Sequence, residues 1–373
     1  MPKPLEGIRV VELARVLAGP WSGQLLADLG AEVIKVERPG GGDDTREWGP
    51  PFVTGADGAN LGAAYYHSCN RGKRSVAIDI ASAGGQAEVR ALLADADVLI
   101  ENYKVGGLVK YGLDPARLRT DFPRLVVCSI TGFGQTGPYA HRAGYDYIVQ
   151  AMSGFMSLTG EPDGAPQKAG IAYADIFTGM YATVAILAAL RRRDVTGKGA
   201  HVDMALLDSQ VAVLANQAAN YLASGVVPKR MGNAHVNVVP YQVFATADGQ
   251  LVIAVGNDGQ YRKLCAILGV PEWGDDPRFA TNAARLANRA ELIPLLAAKI
   301  AAWDAQPLSL VLEAEGVPAG PINDLAGVFA DPQVIARGMR FRPEGASIDG
   351  VASPIVLDGE RMVAAKGAPP LDG

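Results

Sequence analysis

Asp175 is the most conspicuous candidate for chemistry in the chain. It interrupts the small, apolar run Ala169-Gly170-Ile171-Ala172-Tyr173-Ala174 and stands just before an apolar segment of helical spacing. At a helix N-terminus, the dipole and the free N–H groups hold a carboxylate ionised and oriented. That setting suits an N-cap, and it equally suits a nucleophile aimed at a carbonyl. A second group is basic: Arg38 follows the run Val33 to Val36, Arg71, Lys73 and Arg74 precede Ser75 to Ile80, and Lys104 follows Val98 to Ile100. Singly, each reads as a solvated surface charge. Together they can ring one sheet edge and hold the phosphates of a nucleotide-like ligand.

Other chemistries find less support. Gly132-Phe133-Gly134-Gln135-Thr136-Gly137 has the G-x-G-x-x-G spacing of a dinucleotide loop, but Pro138 follows at once and no receiving helix or acid about 20 residues later is evident. It also trails a late strand, whereas the fingerprint belongs to a first strand-to-helix turn. A nicotinamide oxidoreductase is therefore a distant alternative. Gly197-Lys198-Gly199 lacks the remainder of a Walker A sequence. His67, His141, His201 and His235 have no paired metal-binding spacing, so no metal site is expected. There is no G-x-S-x-G elbow for serine hydrolysis.

Alternating elements must position these residues. Ile8 to Leu13, Glu32 to Glu37, Ser75 to Ile80, Asp97 to Ile100 and Leu125 to Ile130 read as strands, with helices predicted over Trp21 to Leu29 and Gln86 to Ala94. Such alternation predicts an α/β, Rossmann-like parallel sheet that binds ligands beyond the carboxyl ends of its strands. A strong helix is expected from Asp175 to Arg193, then a strand at His201 and a helix through Asn220. Beyond Ser224 the pattern changes to a hairpin, Tyr241 to Ala245 and Leu251 to Val255, with helices. We divide the chain into a large domain over 1–224, a small α+β domain over 225–320, and a return segment over 321–373.

Composition agrees with a packed enzyme. The 373 residues are enough for about two domains. A net charge of −5 argues against non-specific nucleic-acid binding. Cys69, Cys128 and Cys265 are odd in number and widely spaced, which fits a reducing compartment. The N-terminus shows no signal-peptide pattern, and Met180 to Leu190 is about half a bilayer span. A cytoplasmic protein with no membrane or nucleic-acid partner is expected.

Six ordered motifs now carry a resemblance: L-x-G-I-R-V-V-E-L-x-x-V-L-A-G-P at Leu5 to Pro20, V-I-K-V-E-R-P-G at Val33 to Gly40, N-R-G-K-R-S at Asn70 to Ser75, E-N-Y at Glu101 to Tyr103, S-I-T-G-F-G-Q-T-G-P at Ser129 to Pro138, and A-D-x-x-x-G at Ala174 to Gly179. They resemble the class III CoA-transferases, the CaiB/BaiF family. The resemblance implies an interlocked homodimer, no permanently bound cofactor, and a CoA thioester and a free carboxylic acid as substrates. Asp175 would be the nucleophile, forming a mixed anhydride and then an aspartyl-CoA thioester. Val16 and Leu17 would line the CoA pocket, Arg38 would meet the phosphates, Asn70, Lys73, Asn102 and Tyr103 would border CoA, and Lys110 would add charge. Tyr145 would sit near Asp175. Family members usually continue past the Pro369-Pro370-Leu371 motif into a further helix, so the resemblance implies either a trimmed terminus or a member that lacks that helix.

Departures narrow the substrate. Leu17 replaces the glutamine of oxalate-using formyl-CoA transferases, and Met231 to Asn237 replaces their glycine-rich loop. The segment Gly232 to Phe244 looks more like members that use succinyl-CoA and larger dicarboxylates, with Arg230 and His235 as candidates for the distal carboxylate. The racemases of the superfamily place a histidine where this chain has Tyr145, within Gly144-Tyr145-Asp146. Tyrosine is a poor base near neutral pH, so a 2-methylacyl-CoA racemase ranks below a transferase.

Overall fold

A computed structural model describes residues 2–373. The described chain forms two compact units, one of residues 2–156, 168–227 and 332–373 and one of 157–167 and 228–331. The larger is built on six parallel strands: β1 (Arg9–Glu12), β2 (Glu32–Glu37), β3 (Lys73–Ala77), β4 (Val98–Glu101), β5 (Val126–Thr131) and β6 (His201–Ala205). Their order across the sheet is β3-β2-β1-β4-β5-β6. The order reverses between β1 and β4, and a doubly wound sheet opens its ligand crevice at that reversal, past the carboxyl ends of the two strands.

Residues adjacent along each strand enter opposite cores. Val10, Ile100 and Cys128 pack under helices α1 (Ala18–Asp28) and α6 (Tyr173–Thr196). Val11, Leu99 and Val127 pack under α3 (Ala83–Ala94) and α4 (Pro115–Asp121). Burial on both faces is why these strands read as continuous apolar runs instead of alternating ones. Two further helices matter for the site, α2 (Ala64–Ser68) and α5 (Asp146–Met152).

Several expectations need correction. Helix α6 runs for 24 residues with a mean hydropathy of 1.5 over its most apolar window, so by length and composition it is long enough to cross a bilayer. Its inner face, Ala182, Ile186 and Leu190, packs into the sheet core. The helix expected through Asn220 breaks into Leu206–Ala212 and Ala215–Ser224, with Ala215 at φ 43°. The strand expected from Ser75 begins at Lys73, with its register set by pairing to β2.

The smaller unit holds a three-stranded antiparallel sheet of β7 (Tyr241–Ala245), β8 (Gln250–Ala254) and β9 (Ala319–Pro321). Pairing of β9 with β8 keeps residue 321 in this unit, so the chain returns to the larger one at Pro332 and not at 321. Residues 157–167 also belong here, where Gly160 O accepts the Gly232 N–H. A core of Phe244, Ile253, Tyr261, Leu264, Leu296 and Leu308 fills the unit.

Candidate active site

Asp175 occupies the first turn of α6, two residues inside its start at Tyr173. It does not cap the helix: Ala172 stands at the N-cap and contributes no side-chain bond. The cap comes from Asp146, 28 residues earlier in the chain, whose Oδ1 accepts the Ala174 N–H at 2.8 Å and the Asp175 N–H at 3.5 Å. Asp146 therefore satisfies the helix end, a task a first-turn acid otherwise performs for itself. Asp146 Oδ2 accepts from Gln150 Nε2 at 2.7 Å. Gln150, fully buried, also accepts the Ala169 N–H at 2.8 Å, fastening the segment before Asp175 onto α5.

This arrangement leaves the Asp175 carboxylate half-buried, with no hydrogen bond or ion pair to its oxygens among the described residues. Burial, reinforced by the negative charge of Asp146, pushes the Asp175 carboxyl up to about 7. Such a group exchanges between acid and carboxylate near neutrality and presents an unsolvated lone pair when ionised, as a nucleophile requires. Tyr65 on α2 is its neighbour: burial, then the charge of Asp175, raises the phenol above its usual range. Trp48 packs edge-on against Tyr65 with ring centroids 5.3 Å apart.

The glycine of the A-D-x-x-x-G motif sets where this carboxylate sits. Gly179 lies one turn below Asp175, and a Cβ there would stand 2.6 Å from Ala18 O and 3.0 Å from Trp21 Cδ1. Only glycine lets α6 approach the start of α1, which places Asp175 beside the turn leaving β1. In that turn Val16 has φ 71°, a left-handed conformation that is unusual for a β-branched residue. Leu17 is buried at the N-cap of α1. Asn102, just past β4, grips the turn: its Oδ1 accepts the Arg15 N–H at 3.0 Å and its Nδ2 donates to Arg15 O at 2.7 Å. The two strand ends at the sheet reversal are thereby tied together. Next to it, the Tyr103 N–H is held by Glu101 Oε2 at 2.8 Å.

The basic residues divide into two sets. Arg38, Lys104 and Lys110 are exposed beyond the carboxyl ends of β2 and β4 and have no ion-pair partner among the described residues, so they are free to meet an anion. Lys73 and Asn70 are interior. The Lys73 ammonium is engaged by Glu12 Oε2 at 2.9 Å, Asn70 Oδ1 at 2.8 Å and Pro20 O at 2.9 Å, so neither side chain presents a free polar group to a ligand. Arg71 is likewise turned inward, onto Asp28. Tyr145 is exposed and immediately precedes Asp146.

In the smaller unit, Arg230 donates to Glu161 O at 3.2 Å and Gly164 O at 2.6 Å, so two of its five N–H groups are already engaged. His235 packs against Tyr241 with ring centroids 5.1 Å apart and planes tilted by 51°, and its Nδ1 accepts the Asn237 N–H at 3.1 Å. In the Gly132 to Gly137 loop, Gly132 packs against Gly144, where a Cβ on either would lie 2.5 or 2.6 Å from the opposing Cα, while Gly134 and Gly137 take φ of 85° and 90°.

Asp146, Gln150 and Tyr65 were not singled out by the sequence. The spacing of Asp146 and Gln150, one helical turn apart, was the available signal for the first two; nothing local marks Tyr65 as a neighbour of Asp175.

Comparison with known proteins is consistent with this geometry. The sequence profile described as CoA-transferase family III matches residues 5–373. A succinate–glutarate CoA-transferase of Agrobacterium fabrum is 61% identical over 357 residues, covering 95% of this chain and 89% of the relative. A succinyl-CoA:glutarate CoA-transferase of Homo sapiens is 45% identical over 352 residues, covering 94% and 79%. The crystal structure of a CAIB/BAIF family protein from Brucella suis superposes with a TM-score of 0.89 at 56% identity, covering 100% of this chain and 97% of that one.

Proposed function

The chain belongs to CoA-transferase family III, and from that premise we propose that it moves CoA from succinyl-CoA to a second dicarboxylate through covalent intermediates on Asp175. The observation that carries the mechanism is the unpaired carboxylate of Asp175 beside a helix end that Asp146 already caps. An Asp175 oxygen attacks the thioester carbonyl, the C–S bond breaks, and CoA leaves as thiolate with a mixed anhydride behind it. The thiolate then attacks the aspartyl carbonyl and expels the donor acid, giving an aspartyl-CoA thioester. The acceptor carboxylate attacks that thioester and releases the thiolate again. Attack of the thiolate on the acceptor's own carbonyl completes the new acyl-CoA and frees Asp175. Each intermediate is about as activated as the thioester it replaces, so no half-reaction is strongly uphill. Exclusion of water preserves the anhydrides.

Arg38, Lys104 and Lys110 meet the CoA phosphates in this reading, and Val16, Leu17, Asn102 and Tyr103 border the pantetheine end at the sheet reversal. Tyr145 stands at the reacting centre in the same reading. A racemase is disfavoured because Tyr145 stands at the histidine position and Asp146 is committed to the cap. The dicarboxylate preference is supported by the named activities of the relatives.

A homodimer of interlocked chains is part of the proposal. Its support is apolar surface on the larger unit: Val184 on α6 is 63% exposed, and Leu222, Val226 and Val227 are 80%, 69% and 70% exposed. Light scattering is expected to show a dimer. A cytoplasmic location accompanies this reading, consistent with three free, buried cysteines.

The substrate test is a screen of succinyl-CoA against dicarboxylic acids of four to six carbons. Glutaryl-CoA or a close homologue is expected as the best product. Transfer to monocarboxylates alone would contradict the assignment.

A further inference from the structure

Four charged side chains with no counterpart in the proposed chemistry lie under the β1–α1 turn. Glu12, Lys35 and Asp43 are completely buried and Lys73 almost so. Lys35 Nζ lies 3.0 Å from Glu12 Oε1, 2.9 Å from Asp43 Oδ2 and 2.9 Å from Ala14 O. Lys73 Nζ lies 2.9 Å from Glu12 Oε2 and 2.9 Å from Pro20 O. The two ammoniums thus hold the carbonyls at both ends of the turn, Ala14 and Pro20. Between them, both Asp43 oxygens accept the N–H of Val16 at 3.3 Å, the residue at φ 71°. Helix α1 rests directly on the cluster, since a Cβ at Gly23 would meet Glu12 Oε2 at 1.9 Å.

Packing alone does not call for this arrangement, because buried ion pairs are often no more stabilising than apolar residues of the same volume. Their use is geometric. Two positive and two negative charges, neutralising one another, fix a backbone that would otherwise relax from a left-handed valine. Resting on the reading that acyl-CoA binds at this turn, we propose that Glu12, Lys35, Asp43 and Lys73 are positioning residues that hold Val16 and Leu17 in the conformation that receives the acyl-CoA donor. They act through the backbone and never touch substrate.

The test is two-substrate steady-state kinetics on Asp43→Asn, with Val16→Ala and Val16→Gly as a pair. Asp43→Asn keeps the side-chain volume but places an amide among donors. It is expected to raise KM for the acyl-CoA donor about tenfold and to leave KM for the free acid within about twofold. A merely destabilised protein would lose active sites and keep both KM values. Should Asp43→Asn fail to fold, the valine pair decides. Val16→Ala keeps the cost of a left-handed residue, whereas Val16→Gly adopts φ 71° without strain and holds the turn in place, so the donor KM of Val16→Ala is expected to exceed that of Val16→Gly about threefold or more. Equal donor KM values in the pair, or an unchanged donor KM in Asp43→Asn, would overturn the positioning role. If instead Asp175→Ala retained exchange, the premise about the reaction would fall, independently of either result.

Discussion

Glu12 lies beneath α1 and Asp175 in the first turn of α6, and the fold treats their carboxylates in opposite ways. Glu12 is completely buried and meets two ammoniums within 3.0 Å. Asp175 is half-buried, meets no cation among the described residues, and has a second carboxylate for a neighbour. Desolvation disfavours both ions, but only Glu12 is compensated. The difference teaches that the structural charge is neutralised to hold a backbone still, whereas the reactive one is left uncompensated so that its lone pair is available to a substrate.

Breaking the compensated side is expected to give the largest effect. Glu12→Ala strands Lys35 and Lys73 in the interior and is expected to destabilise by about 3–5 kcal/mol, read by urea unfolding. A loss below about 1 kcal/mol would mean that the cluster is not the fixed element described here. The junction between the two sides comes next. Gly179→Ala forces a Cβ to within 2.6 Å of Ala18 O, so α1 and α6 must part. A loss of about 1–3 kcal/mol is expected, together with a fall in kcat, and unaltered turnover would show that this spacing does not set the reaction geometry.

The uncompensated side is sharpened by pH. The folded protein favours neutral Asp175, because its carboxyl is raised to about 7. That contribution to stability is fully present below about pH 4, where the unfolded group is also protonated, and is lost as pH rises through about 7. Asp175→Asn is therefore expected to match the wild type in acid and to exceed it above neutrality, by about 2 kcal/mol once partial exposure is discounted. Parallel stability curves would remove the case for a raised carboxyl. The smallest effect belongs to Asp146→Asn. It keeps an oxygen for the Ala174 N–H but removes the negative charge, so the rise of kcat/KM with pH should move to lower pH, by about one unit or less because burial is the larger cause. A shift upward would reverse the assignment.

Much of this contrast was legible in part. The parallel sheet followed from apolar runs alternating with helices, and the reversal between β1 and β4 is where such sheets bind ligands. Asp175 was visible because a carboxylate in the run Ala169 to Ala174 has no local partner. Its partner Asp146 was not, since the contact spans 28 residues and depends on how α5 packs against α6. Lys73 misled in an instructive way. A lysine near a strand start reads as a surface cation, yet here the strand begins at Lys73 itself and its ammonium points to Glu12. The available clue was Glu12, set between Val11 and Leu13, and Lys35, set between Ile34 and Val36, positions that burial permits a charge only when paired.

The central claim is tested most directly by rapid quenching after addition of succinyl-CoA, followed by mass spectrometry of the peptide that carries Asp175. A covalent succinyl or CoA adduct on Asp175, formed and consumed at the rate of turnover, is expected, with no exchange in Asp175→Ala. An unmodified Asp175 during turnover, with exchange intact in Asp175→Ala, would contradict it.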